Sequence, residues 1–138
     1  MTGGAMQVGM QAGMQTGAGM NVETRLSEQL GRYLSLAADE AKLTAANMAN
    51  IDTPGYRAVG MDFSAEMKAA MAQVDAGAAA GTPRVSEVDG LVSRPDGNDV
   101  SMDRESVNLA AAQLKFKTGV ALLHMEYQRI NDAIHADK

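Results

Sequence analysis

Asn47-Met48-Ala49-Asn50-Ile51-Asp52-Thr53-Pro54-Gly55-Tyr56-Arg57 falls where a long amphipathic helix has to stop. Upstream of it, Leu26, Leu30, Tyr33, Leu34, Ala37, Ala41, Ala45 and Met48 recur mostly at steps of three and four, one face of a 3.6-residue helix. Pro54 has no N–H to continue that helix, and it pushes Thr53 toward extended backbone angles. Thr53-Pro54-Gly55-Tyr56 sets proline and glycine at the central places of a type II turn, where glycine takes positive φ at little cost. In physical terms alone the stretch is a helix C-terminus followed by a turn.

Outward from this stop, the first helix is predicted over about 22–50, with Asn21 as its cap and Glu23 in its first turn. Glu28, Arg32, Asp39, Glu40 and Lys42 make its polar face. A second long helix is predicted over about 101–135, starting at Ser101 or Asp103. Phe116, Val120, Leu123, Tyr127, Ile130 and Ile134 trace a heptad seam along it, and Val107, Ala111, Leu114 and Met125 add another apolar line. Such a stripe suits either a core helix of a small bundle or a helix touching both its hairpin mate and a neighbouring subunit.

Between the helices, residues 51–100 read as irregular. Phe63, Met67 and Met71 at four-residue steps predict a short helix from about Ser64 to Ala72. Asp75 to Gly81 is Ala/Gly-rich and reads as flexible, Arg84 to Val88 has strand character, and Arg94-Pro95-Asp96-Gly97-Asn98 reads as a turn. The predicted fold class is mainly α, with two long terminal helices packed as an antiparallel coiled-coil-like hairpin. Residues 1–20 form a Gly/Met-rich leader expected to be disordered, ahead of one domain over 21–138. An upstream start, with the natural chain beginning at Met20, is a further reading of that leader.

Composition narrows the function. The net charge is −5, and nucleic-acid binding needs clustered Lys and Arg, so no nucleic-acid partner is expected. The apolar 46% leans on Ala and Met, with three Tyr, two Phe and no Trp, so a self-sufficient core would be thin. A thin core suits a subunit that completes its burial by assembly. The absence of cysteine excludes disulfides and thiolate chemistry. Neither an apolar run of membrane-spanning length nor a secretory signal is recognisable, so no membrane insertion and no cleaved signal peptide are expected.

Candidate chemistry falls away on inspection. Met6, Met10 and Met14 recur at four-residue steps and would offer thioethers to copper(I), but no His or Cys accompanies them in the leader. His124 and His135 stand about 16 Å apart along a helix, too far for one metal. Asp96, Asp99 and Asp103 bracket Gly97 and Asn98, but a calcium loop needs glycine at its sixth position and glutamate at its twelfth, and this stretch places neither there. No nucleophile elbow or phosphate loop occurs, and no catalytic residue, cofactor or small-molecule substrate is expected.

Ala46 to Ala58, Ala-Asn-Met-Ala-Asn-Ile-Asp-Thr-Pro-Gly-Tyr-Arg-Ala, resembles the N-terminal signature of the bacterial flagellar rod, hook and hook-associated axial proteins. Asp62-Phe63 and then Asp96-Gly97-Asn98-Asp99-Val100-Ser101-Met102-Asp103-Arg104-Glu105 resemble a second element of its proximal-rod branch. The matches follow the same order and span roughly 24 to 135. Met48 stands where isoleucine is usual, and Phe116 where tyrosine is frequent.

The resemblance implies a structural subunit of the proximal rod that polymerises with other rod subunits near the membrane-ring junction. It also implies export through the flagellar type III apparatus. The assembly motif would comprise Asn47, Ala49, Asn50, Asp52, Thr53, Pro54, Gly55, Tyr56, Phe63, Asp96, Gly97, Asn98 and Val100. In it the asparagines would bond backbone groups freed at the helix end, Pro54 and Gly55 would set the exit angle, and Tyr56 and Phe63 would dock the middle segment. Helix packing is assigned to Leu26, Leu30, Leu34, Phe116, Val120, Leu123, Tyr127, Ile130 and Ile134. The rival reading is a cytoplasmic helical-hairpin adaptor or chaperone gripping a partner helix.

Overall fold

The computed structural model describes residues 23–136. Helix α1 is Arg25–Ala49, α2 is Phe63–Asp75 and α3 is Met102–His135, with short strands β1 at Val59–Gly60 and β2 at Ser86–Glu87. The leader, its methionines and Asn21 lie outside the described residues. At 1.5 Å per residue α1 is about 37 Å long and α3 about 50 Å.

The long helices run antiparallel. The Thr24 hydroxyl donates to Glu126 at 2.8 Å, Lys115 Nζ meets Glu40 at 2.7 Å, and the Asn47 amide donates to Glu105 at 3.0 Å. Rising numbers on α1 thus meet falling numbers on α3. The cap of α1 is Thr24 rather than Asn21. Its hydroxyl accepts from the Ser27 N–H (3.1 Å), and the Ser27 hydroxyl accepts from the Thr24 N–H (2.9 Å), closing a capping box.

Close approach of the helices selects which residues form their contact. On α3 the buried positions are Glu105, Ala112, Gly119 and Glu126, a strict seven-residue repeat. A Cβ at Gly119 would lie 2.7 Å from Leu34 Cδ2 and 2.9 Å from Tyr33 Cδ1, so α1 presses onto bare backbone there. Of the large residues assigned to packing, Leu30, Leu34, Leu123 and Ile130 are half-buried, whereas Leu26, Phe116, Val120, Tyr127 and Ile134 are exposed. Hydrophobic periodicity picks out bulky side chains, while this crossing is made by small ones and by carboxylates with partners.

Helix α2 begins one residue earlier than predicted and runs three residues longer. Asp62 caps it, accepting from the Ala65 N–H at 3.0 Å. Phe63 meets the Tyr33 ring edge-on at 5.5 Å, and Lys115 Nζ sits 4.2 Å from the Phe63 centroid, so one aromatic ties α2 to both long helices. The segment predicted to be flexible is pinned instead. Gln73 accepts from the Ala78 N–H (2.8 Å) and the Gly81 N–H (3.1 Å), and Arg32 donates to the Ala78 carbonyl. The strand predicted over Arg84–Val88 shortens to β2, paired antiparallel to β1 with Val59 opposite Glu87. Among the described residues no helix is long and apolar enough to cross a membrane.

Candidate functional site

The turn after α1 forms through its own polar residues. Asn50 is the C-cap, and its side-chain amide donates at 2.8 Å to the Ala46 carbonyl, which also accepts the Asn50 backbone N–H at 3.2 Å, so one residue closes the helix end through both its backbone and its side chain. The Thr53 hydroxyl donates to Asn50 Oδ1, and the Tyr56 N–H donates to the Thr53 carbonyl at 3.2 Å across the Pro54-Gly55 pair. Gly55 has φ +75°, which an L side chain rarely adopts. Ala49, Asp52 and Pro54 are exposed on the outside of this turn.

The second motif folds directly onto the first. Gly55 N–H donates to the Asp96 carbonyl at 2.8 Å, and Gly97, at φ +83°, would place a Cβ only 3.3 Å from Gly55 Cα. Asn98 is fully buried. Its amide donates to the carbonyls of Asn50 (2.9 Å) and Thr53 (2.8 Å), and its Oδ1 accepts from the N–H of buried Val100 at 2.8 Å. Asp99 accepts from the Ala58 N–H at 2.6 Å and from Arg57 Nε at 2.7 Å. The two stretches are therefore one interlocked node.

Asn47 joins this node to the hairpin. Its side chain exchanges both hydrogen bonds with Val59, donating to the carbonyl at 2.8 Å and accepting from the N–H at 3.0 Å, as a neighbouring strand residue would. It also accepts from the Tyr56 hydroxyl at 3.3 Å and donates to Glu105. One buried amide thereby connects α1, the β1 strand, the turn and the start of α3. Glu105, Arg57 and Asp99 carry much of this geometry and were absent from the predicted site. Asp99 lies within the quoted motif, but its Arg57 partner is 42 positions away and no local spacing signals it.

The electrostatics follow from burial and pairing. Burial would push the Asp99 carboxyl up, but the Ala58 N–H and the Arg57 guanidinium outweigh it and hold the group below its ordinary range. Arg57 is correspondingly raised by its hydrogen bond to Asp99. At the far end of the hairpin Glu126 is lowered, first by Arg129 and then by the Thr24 hydroxyl. A cleft of about 330 Å³ beside the node is lined by Glu40, Thr44, Asn47, Val59, Arg104 and Glu105, whose charged groups are already engaged with one another or with Lys115. His124 and His135, the two histidines weighed above, are both exposed.

A helix hairpin whose one end is closed by side chains bonded to backbone is the framework of a structural subunit: these groups hold chain geometry rather than converge on a reacting atom. Comparison with known proteins makes the class more particular. No protein-family model matches the chain. The flagellar basal body rod protein FlgB of Salmonella typhimurium strain LT2 is 37% identical over 108 residues, covering 65% of this chain and 78% of that protein. FlgB of Yersinia enterocolitica is 34% identical over 108 residues, covering 65% of this chain and 79% of the relative. FlgB of Cereibacter sphaeroides is 29% identical over 127 residues, covering 83% of this chain and 99% of the relative. The chain belongs to the FlgB family of flagellar basal body rod proteins.

Proposed function

We propose that this chain is a structural subunit of the proximal rod in the flagellar basal body and polymerises with other rod proteins into the drive shaft. In this reading it sits by the junction with the membrane ring, having left the cell interior through the flagellar type III export apparatus without a cleaved signal. Kinship with the FlgB proteins supports the basal-body location. The observation that carries the subunit role is the interlocked node. Asn50, Thr53 and Gly55 from one stretch and Asp96 and Asn98 from another, 40 or more positions away, meet at one end of the hairpin and fix how the middle segment leaves it. A rigid end of this kind suits repeated head-to-tail contacts through unlike surfaces, which make filaments rather than closed rings.

Deleting the gene, imaging purified basal bodies by electron microscopy and scoring swimming tests this reading. The expected result is loss of the rod with the membrane ring still present, restored by residues 20–138. Intact rods and normal swimming would overturn it in favour of the helical adaptor. Within the same assay, Pro54→Ala with Gly55→Val is expected to reduce incorporation more than Met6→Ala with Met10→Ala.

A further inference from the structure

Helices α2 and α3 both lie against α1, and a groove of about 190 Å³ opens between them. Its walls are Leu26, Leu30 and Tyr33 of α1, Met67 and Met71 of α2, and Leu122 of α3; Gln29 alone among the lining residues carries an amide. Leu26 is 47% exposed, Leu122 44% and Met71 40%, so the groove is open apolar surface among the described residues. It starts in the first turn of α1, two residues past the Thr24 cap, so the chain that precedes the cap emerges at its mouth. A helix, about 10–12 Å across, is too thick for a space of this size, whereas single side chains from an extended chain fit.

The sequence ahead of α1 has the pattern that such a groove takes. From Met6 to Met14 the even positions are Met6, Val8, Met10, Ala12 and Met14, and every odd one is Gln or Gly. In extended backbone this period of two puts the apolar side chains on one face and the glutamines on the other. The four-residue step between the methionines would also suit a helix, but Gly9 and Gly13 each cost it about 1 kcal/mol relative to alanine. No charged side chain precedes Glu23, so covering this face desolvates no charge. Methionine stems adapt to irregular apolar gaps and their sulfurs contact aromatic rings such as Tyr33 favourably. The lengths agree as well. Met10 to Met14 covers about 13 Å when extended, and Leu26 to Tyr33 covers about 10 Å of α1. Gly17 and Gly19 supply the reversal that sends the chain back along the helix.

We propose that residues 8–14 of this chain fold back as an extended strap over its own groove, with Met14 beside Leu26 and Met10 between Tyr33 and Met71. The proposal goes beyond the rod reading and does not rest on it. Its test uses the purified full chain at low concentration, with a photo-crosslinking phenylalanine derivative at position 71 or, separately, at 122. Position 72, exposed but turned about 100° from 71 on the same helix, is the control. Circular dichroism first establishes that each variant keeps its helicity. After irradiation the monomer is isolated and its joined peptides are sequenced. Adducts to residues 8–14 should form from 71 and 122 at a yield at least fivefold above that from 72. Met10→Gln with Gln11→Met keeps the composition but breaks the alternation, and should lower that yield at least fivefold. Met10→Leu should retain it.

Adducts confined to dimers would place a second copy in the groove and overturn the proposal. Adducts to another part of the same chain, a yield from a helical 71 or 122 variant no higher than from 72, or an exchanged variant that crosslinks as well as the parent would each do the same. The rod reading survives all of these results, since incorporation into basal bodies is tested separately.

Discussion

The amide of Asn98 donates to the Thr53 carbonyl at 2.8 Å although 45 positions separate them, so the turn that ends the first helix is held from the threshold of the last one. The same buried amide holds the Asn50 carbonyl, and its oxygen accepts from Val100. Asn98→Ala therefore removes three hydrogen bonds. The Asn50 and Thr53 carbonyls keep the Thr53 and Tyr56 N–H donors, but the buried Val100 N–H is stranded, at about 1–3 kcal/mol for an unpaired buried group. Denaturant unfolding should show a loss of about 2–4 kcal/mol, and a change below about 0.5 kcal/mol would mean water replaces the side chain freely.

Gly97 tests whether the two turns need their close approach. Its φ of +83° and its nearness to Gly55 Cα make any Cβ doubly unwelcome, because the nearest atom is backbone. Gly97→Ala is expected to cost about 1–3 kcal/mol, the range for a non-glycine residue held in the left-handed region. Gly31→Ala serves as the contrasting substitution, since a Cβ there meets nothing within 4 Å and the helix gains propensity. Equal thermal midpoints for the two variants would refute the close-packed turn.

At Gly119 the contest lies between helix propensity and space. Alanine would gain about 1 kcal/mol of propensity, while its Cβ would displace Leu34 and Tyr33. Leu34 Cδ2 is the end of a flexible side chain and can yield, but the Tyr33 ring carbon at 2.9 Å and Leu34 Cγ at 3.1 Å lie nearer the backbone and Tyr33 is held by Phe63, so Gly119→Ala should cost about 1 kcal/mol net. Gly119→Val adds bulk to the same contact and should cost more, about 2–3 kcal/mol by overpacking. Urea midpoints decide it, and a valine variant as stable as the parent would show that the helices do not cross closely there.

These positions show where sequence reading stops. The hairpin was legible because Leu26 to Met48 and Phe116 to Ile134 carry helical periodicity, and Pro54-Gly55 marks the turn between helix and middle segment. The contact line of α3 was not, since Ala112 and Gly119 carry no hydrophobic signal and Glu105 and Glu126 carry the opposite one. Their burial is possible only because Asn47, Arg104, Thr24 and Arg129 supply partners. At the node the two motifs could be quoted separately, but their mutual contact depends on long-range bonds such as Arg57 to Asp99, which no local spacing encodes.

Acid should weaken the node in a defined direction. Asp99 is held below its ordinary pKa in the folded chain, so its contribution is complete at neutral pH. It disappears as pH falls through the ordinary carboxylate range toward the depressed folded value. Asp99→Asn removes that dependence, so the parent should be more stable at pH 7 and the gap should narrow at about pH 3. A gap that stays constant between these pH values would show that the carboxylate charge is not what Arg57 and Ala58 stabilise.

Asn47 offers the sharpest discrimination, because its two side-chain atoms have opposite duties. The nitrogen donates to the Val59 carbonyl and to Glu105, while the oxygen accepts from the Val59 N–H and from Tyr56. Asn47→Asp preserves size and the accepting side but removes both donations, and it sets a second carboxylate against buried Glu105. The expected cost is about 2–4 kcal/mol, more than volume alone would explain. Adding Glu105→Gln supplies an amide donor facing the new carboxylate and removes the like charge. The double variant should therefore be more stable than the sum of the two single changes, by a coupling of about 1–3 kcal/mol. Strict additivity in denaturant unfolding would mean that Asn47 and Glu105 contribute separately and that the node is not one cooperative unit.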